Sequence, residues 1–199
     1  VQTVAGRLPL YANVGAVTTA ESVRLAQRAE EDGVDHLVVI TPYYLKPSAD
    51  ELVAHYSEVC GSVRVPVLAY NIPERTGGVA LSVATVAKLA REVPNFAGIK
   101  DSTGDLSNSV EFLQATPPGF RVFMGRDTLI FGALLYGCAG AVAATAAIMP
   151  AVRRFAAAGG PVLLVQIENE YGSYGNDRAY MERLKEVWVK AGISGPFYT

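Results

Sequence analysis

The sequence predicts an α/β protein of the (βα)8 TIM-barrel class, and three observations support this fold. Eight short apolar segments alternate along the 199 residues with longer segments whose apolar side chains recur at helical spacing. Half of the residues are hydrophobic and only 18% are charged, which is typical of a parallel sheet covered on both faces. The turn after the first strand reads Asn13-Val14-Gly15-Ala16, which is not a dinucleotide-binding fingerprint. We therefore expect one barrel domain over residues 1–199 rather than an open doubly wound sheet.

The first half of the chain contains three helix signals between its apolar segments. Thr18-x-x-Glu21 and Ser48-x-x-Glu51 have the pattern of capping boxes, and Gly33 ends the first of these two helices. Ser82 opens a third helix, which runs to about residue 92. The four strands predicted around these helices are residues 8–14, 36–41, 65–70 and 95–100.

The second half continues the same alternation. Asp127 is expected to cap one of its helices, and Pro150 suits the first turn of another. The predicted strands are residues 121–124, 140–145, 161–168 and 195–199, and the predicted helices are residues 106–115, 128–136, 150–159 and 177–191.

Charge and cysteine content exclude several classes of function. The net charge is −2 without a basic run, so nucleic acid is not an expected partner. No apolar segment is long enough to span a bilayer, and the N-terminus lacks a secretory pattern, so a cytoplasmic protein without a membrane partner is expected. Cys60 and Cys138 stand apart without metal-ligand spacing and are interpreted as reduced structural thiols. We predict neither a metal nor a cofactor.

The candidate reactive group is Lys100, which lies at the end of an apolar strand. Strand alternation places Phe96, Gly98 and Lys100 on one face, and glycine leaves room there for a ligand or for the folded lysine chain. A lysine in an apolar pocket loses its charge more readily and becomes a nucleophile toward carbonyl carbons. The alternative is a strand-end lysine that reaches solvent or pairs with Asp101.

In a barrel, the chemistry lies at the carboxyl ends of the strands. Several polar and aromatic residues are predicted at those ends, and this favours Lys100 as a reactive group over a lysine that reaches solvent. The polar and aromatic residues predicted there are Tyr43, Tyr44, Tyr70, Arg75, Lys100, Asp127, Glu168 and Glu170.

Three motifs in order give residues 5–150 a family resemblance. They are Thr41-Pro42-Tyr43-Tyr44-Leu45-Lys46-Pro47-Ser48, Leu68-Ala69-Tyr70-Asn71-Ile72-Pro73-Glu74-Arg75-Thr76-Gly77 and Gly98-Ile99-Lys100-Asp101-Ser102-Thr103-Gly104-Asp105. This part of the chain resembles the dihydrodipicolinate synthase and N-acetylneuraminate lyase family of Schiff-base barrel enzymes.

The resemblance implies roles for six residues. Lys100 would condense with the ketone of pyruvate, Tyr70 would relay protons at the imine, and Tyr44 would belong to a tyrosine relay near a subunit interface. Arg75, with the adjoining Thr76 and Gly77, would bind a substrate carboxylate. The expected partner is a small keto acid, and a homo-oligomer is left open.

The resemblance also implies that two features of the family are missing from this chain. The family's two opening strands, with a Gly-Thr-Thr-Gly-Glu loop that holds the pyruvate carboxylate, are not found here, and alanine at Ala147 replaces a typical asparagine.

A different motif marks residues 159–199. The segment Gln166-Ile167-Glu168-Asn169-Glu170-Tyr171-Gly172 resembles the beta-galactosidase family with a Glu-Asn-Glu-Tyr-Gly motif. By resemblance, Glu170 is a vestigial general acid/base and Asn169 a vestigial sugar contact. A retaining glycosidase needs a second carboxylate about 5 Å away, and the family's nucleophile lies on a later strand, so glycosidase activity is not expected.

Six strands from one family and two from the other would complete a barrel of eight. We therefore interpret the chain as an engineered or recombined chimera, with a lyase-derived part over residues 1–150 and a glycosidase-derived part over residues 151–199. The strand around Phe197 would pair with the strand around Tyr11. Two functions follow: a scaffold with little or no efficient activity, or an active class I lyase that forms an imine through Lys100.

Overall fold

The structure is a computed structural model that describes residues 1, 4, 6–143, 164–166, 186 and 197–198. The chain divides into two compact units, Val1–Val122 and Phe123–Thr199. The predicted seam between Met149 and Gly160 lies outside the described residues, and so does the predicted helix at 150–159.

The first unit alternates strands and helices as the sequence predicts. Its first four strands are parallel and pair in chain order, so each helix connects two neighbouring strands. The strands are β1 (Tyr11–Asn13), β2 (His36–Ile40), β3 (Val67–Asn71) and β4 (Phe96–Asp101), and the helices are α1 (Thr19–Glu31), α2 (Ala49–Gly61), α3 (Val83–Glu92) and α4 (Leu106–Ala115).

The first strand is shorter than predicted. It begins at Tyr11 rather than at residue 8. Pro9 has no amide hydrogen to contribute to a ladder, and the amide of Leu10 donates to Asp35 Oδ2 at 2.7 Å. The prediction that Tyr11 pairs with the strand around Phe197 remains a prediction.

Helix starts follow the predicted caps with one correction. Ser48 and Glu51 form the full capping box. Thr18 accepts from the amide of Glu21, but the Glu21 carboxylate binds Arg24 at 2.6 Å, so only half of the predicted box forms there. The salt bridge competes with the cap for the same carboxylate.

The core of the first unit lies between the sheet and the helices. Val39, Ala69 and Ile99, which occupy one row across β2, β3 and β4, are fully buried. Tyr56 of α2 donates its hydroxyl to the Val39 carbonyl at 3.0 Å and packs edge-on against Phe96. The register of β3 and β4 shifts after Phe96, so this ring lies on the face of Ile99 and not, as predicted, on that of Lys100. This packing fixes β2, β3 and β4 as one rigid support for their carboxyl ends.

Strand β5 (Arg121–Met124) crosses the unit boundary, and its last two residues pair in parallel with β6 (Gly140–Ala143). Two further described strands of the second unit, β7 (Leu164–Gln166) and β8 (Phe197–Tyr198), also pair in parallel. Asp127 is not a cap: it begins a 3-10 turn, Asp127–Leu129, whose N-cap Arg126 makes no side-chain capping bond. The first two residues of the helix predicted at 128–136 belong to this turn, and α5 covers only Ile130–Leu135.

Within the described ranges, no helix combines the length and apolarity needed to cross a membrane.

Candidate active site

Lys100 and Tyr70 form the centre of the candidate site. They are direct partners in the register of β3 and β4, so both side chains lie on the same face of the sheet. The Lys100 Nζ lies 3.9 Å from the centroid of the Tyr70 ring, within range of a cation–π contact. Both residues are half-buried. The structure thus brings together two of the three predicted catalytic residues.

Asp101 lies on the next rung, paired with Asn71, and its side chain is on the opposite face of the sheet and 1% exposed. Its Oδ1 accepts from Asn71 Nδ2 at 3.3 Å and from the amide of Thr103 at 3.2 Å. Its Oδ2 accepts from Ser109 Oγ at 2.7 Å and from Asn108 Nδ2 at 3.1 Å. The carboxylate is therefore saturated by four neutral donors. The sequence analysis gave no role to Asn71, Asn108 or Ser109: Asn71 was quoted only as part of a motif, and the other two lie outside the motifs.

Gly98 serves a different purpose from the predicted one. A Cβ at this position would lie 2.5 Å from the carbonyl oxygen of Arg121. The space that glycine leaves is thus filled by the start of β5, and is not reserved for a ligand or for the lysine chain.

The loop after β3 carries Arg75, whose side chain is exposed. Thr76 is fully buried, and its hydroxyl lies 2.9 Å from the Val79 carbonyl and 3.2 Å from that of Ile72. The hydroxyl of Thr76 therefore holds the loop in shape. Gly77 has φ +63°, a conformation that favours glycine. Substrate binding by Arg75, Thr76 and Gly77 remains a prediction.

The loop after β2 lies next to the Arg75 loop. A Cβ on Gly77 would meet the Tyr43 carbonyl at 3.7 Å, and one on Gly78 would meet Lys46 Nζ at 3.4 Å. Tyr44 is 83% exposed. Its predicted relay role remains a prediction.

Two buried hydroxyls lie just past the strand ends. Thr41 follows β2, and Ser102 follows β4 with its amide bonded to the Asn71 carbonyl at 2.8 Å. Within the described part of the chain, neither hydroxyl has a hydrogen-bond partner. They are polar groups at the same edge as Lys100 that the sequence analysis did not single out.

His55, Cys60 and Cys138 are further titratable side chains, and all three are buried. Burial lowers the pKa of His55 to about 4, and its Nδ1 lies 2.9 Å from the Thr19 hydroxyl. Burial raises the pKa of the Cys60 thiol to about 12, which suppresses the reactive thiolate. Among the residues described, no group of three or more His, Cys, Asp or Glu side chains could hold a metal ion.

Glu168, Asn169 and Glu170 lie outside the described residues, so the vestigial glycosidase roles remain predictions. Ala147 lies outside them too.

The chain has parallel strands joined by helices, and a lysine and a tyrosine pair at the ends of two of these strands. These features place it in the class of β/α proteins with a candidate site at the carboxyl edge of the sheet. The family model for the dihydrodipicolinate synthetase family matches residues 1–158. The chain belongs to this family.

Relatives support this assignment over three quarters of the chain. The 4-hydroxy-tetrahydrodipicolinate synthase of Cellvibrio japonicus is 40% identical over 151 residues, covering 76% of this chain and 51% of the relative. The chain thus spans about half the length of the curated relatives it matches.

Solved structures show the same fold. The dihydrodipicolinate synthase of Acinetobacter baumannii, solved with pyruvate, has a TM-score of 0.73 at 28% identity, covering 96% of this chain and 78% of that one. YagE, a prophage protein of E. coli K12 also solved with pyruvate, has a TM-score of 0.73 at 31% identity, covering 94% and 66%.

A second family model, glycosyl hydrolases family 35, matches residues 143–197, most of which lie outside the described residues. The two matches overlap over residues 143–158. That the chain is a chimera of two barrels remains a prediction.

Proposed function

We propose that the chain performs class I lyase chemistry on pyruvate or a closely related keto acid, with Lys100 as the nucleophile. The supporting observation is the rung that places the Lys100 amine 3.9 Å from the centre of the Tyr70 ring. Family membership and the pyruvate bound in two similar solved structures favour this function over the scaffold without efficient activity.

The chemistry follows from these groups. The neutral amine of Lys100 attacks the keto carbon, its nitrogen loses a proton, and the carbonyl oxygen gains one to give a carbinolamine. The carbinolamine hydroxyl then takes up a proton and leaves as water, which gives the iminium cation. The Tyr70 phenol is the group we assign to these proton transfers, because its ring packs against the reacting amine and both side chains lie on one face of the sheet. The iminium withdraws electrons from the neighbouring carbon, which loses a proton to form the enamine that attacks a second carbonyl compound.

The loops above the rung are assigned to substrate binding. Arg75 is an exposed cation on the loop after β3, where its guanidinium can bind a carboxylate through two parallel hydrogen bonds. Thr76 and Gly77 are assigned to shaping this loop, and Tyr44 to a proton relay from the neighbouring loop. The homo-oligomer left open by the sequence remains a proposal that sedimentation would test.

Borohydride trapping tests the proposal. Incubation with labelled pyruvate and borohydride should reduce the iminium to a stable amine, with one label per chain on the peptide that contains Lys100. Lys100→Ala should lose the label entirely. Lys88→Ala, which removes a half-buried lysine from α3, is the control and should be labelled like the wild type. An unlabelled wild-type chain, or label that persists in Lys100→Ala, would exclude the proposed function.

We also propose that residues 151–199 derive from a glycosidase barrel, which the family 35 match supports. A chromogenic galactoside should not be hydrolysed, since only one of the two required carboxylates is assigned. Hydrolysis that disappears in Glu170→Gln would contradict this expectation.

A further inference from the structure

Within the described part of the chain, the buried Asp101 carboxylate accepts hydrogen bonds from no cationic side chain. Its side chain is 1% exposed, and all four of its hydrogen-bond donors are neutral. Removing a carboxylate from water without a counter-charge is costly, so such groups are rare in protein interiors. The four hydrogen bonds replace part of the hydration that the carboxylate loses on burial, but they do not neutralise its charge.

The position of this anion is specific. Asp101 follows Lys100 on β4, and Asn71 follows Tyr70 on β3. The hydrogen bond between Asn71 and Asp101 therefore sits on the rung directly after the Lys100–Tyr70 rung. Asn71 is anchored in turn, because its Oδ1 accepts from the amide of Leu81 at 3.0 Å. The pair fixes the register of the two strands at the point where the candidate site requires it.

The charge also has the correct sign for the proposed reaction. Imine formation converts a neutral amine into an iminium cation, and a fixed negative charge behind the strand favours that cation. Because Asp101 is only 1% exposed, bulk solvent screens its charge weakly. The donors to Asp101 come from β3, from the turn after β4 and from α4, and all are neutral; the titratable group that contacts Lys100 from the neighbouring strand is Tyr70.

We infer that Asp101 is a positioning residue that holds β3 and β4 in register through Asn71 and supplies the buried negative charge that stabilises the iminium on Lys100. The inference rests on the proposed function. It assigns Asp101 no contact with the substrate, because its side chain lies on the opposite face of β4.

The test compares one variant that removes the charge of Asp101 with one that keeps this charge and removes a hydrogen bond to it. Asp101→Asn removes the negative charge, whereas Ser109→Ala removes the 2.7 Å donor and leaves the charge in place. Borohydride trapping with pyruvate is measured from pH 5 to pH 10 for both variants and the wild type, and thermal unfolding is followed in parallel.

Loss of the anion disfavours the ammonium form of Lys100, so its amine becomes neutral at lower pH. We expect the pH midpoint of trapping to fall by about one unit in Asp101→Asn and the plateau rate to fall about tenfold. Ser109→Ala should unfold at lower temperature and keep the wild-type midpoint, since the charge remains.

A purely structural role would lower the unfolding temperature of both variants and move neither midpoint, and this result would overturn the inference. Asp101→Ser, a smaller neutral residue, removes the same charge and takes the place of Asp101→Asn should that variant fail to fold. Failure of the proposed function would look different, because the wild-type chain itself would then not be trapped.

Discussion

The strand ends and the loops of the candidate site differ in how they are held. Lys100 and Tyr70 are paired residues of neighbouring strands, and the register of β3 and β4 brings them into contact. On the other face of these strands and of β2, Val39, Ala69 and Ile99 are fully buried. Tyr44 and Arg75 lie on loops, with exposed side chains. The buried ladder carries the proposed nucleophile, and the exposed loops carry the groups assigned to the substrate, which is a common division in barrels.

The largest effect on stability is expected at Gly98, where β4 approaches the backbone of Arg121. Gly98→Ala places a Cβ 2.5 Å from the backbone carbonyl of Arg121, and the backbone cannot move as a side chain can. We expect a loss of about 3 kcal/mol in the free energy of unfolding, measured by denaturant titration. Gly61→Ala is the control, because no atom lies within 4 Å of the added carbon, and its stability should stay within about 0.5 kcal/mol of the wild type. Equal stabilities for the two variants would show that β4 and β5 are not closely packed.

Tyr70→Phe separates the two functions of the tyrosine. The variant keeps the ring face against which Lys100 Nζ packs and loses the phenol. Removal of a general acid–base group slows the proton transfers by about 100-fold, so we expect trapping to be slower by that factor. Tyr70→Leu removes the ring as well and serves as the comparison. A Tyr70→Phe variant that is trapped at the wild-type rate would remove the phenol from the mechanism.

The same contrast explains how much could be predicted from the sequence. Strands and helices of the first unit follow local signals: Ser48 caps α2 as its motif indicates, and α4 covers the predicted residues 106–115. Lys100 was predicted because the apolar segment before it ends on this residue, and β4 runs one residue further, to Asp101. These features depend on residues within a few positions of one another, where periodicity and capping patterns are informative.

Features that join distant residues could not be predicted. Gly98 meets Arg121 across 23 positions, and Asn71 meets Asp101 across 30. Alternation places Asp101 opposite Lys100, but nothing local shows that four donors converge on it. Asp127 shows the limit of local signals too, because an aspartate suits both a cap and the first turn.

The loop region gives the smallest expected effect. Thr76→Val replaces the buried hydroxyl with a methyl group and leaves the carbonyls of Ile72 and Val79 without that donor, so we expect a loss of about 1–2 kcal/mol in unfolding free energy. The loop that carries Arg75 should loosen, which raises KM for pyruvate while kcat changes little, because Lys100 and Tyr70 are held by the ladder. Thr76→Ser keeps the hydroxyl and should restore both quantities. A Thr76→Val variant that lowers kcat as strongly as Tyr70→Phe would show that loop and ladder are not separate parts of the site.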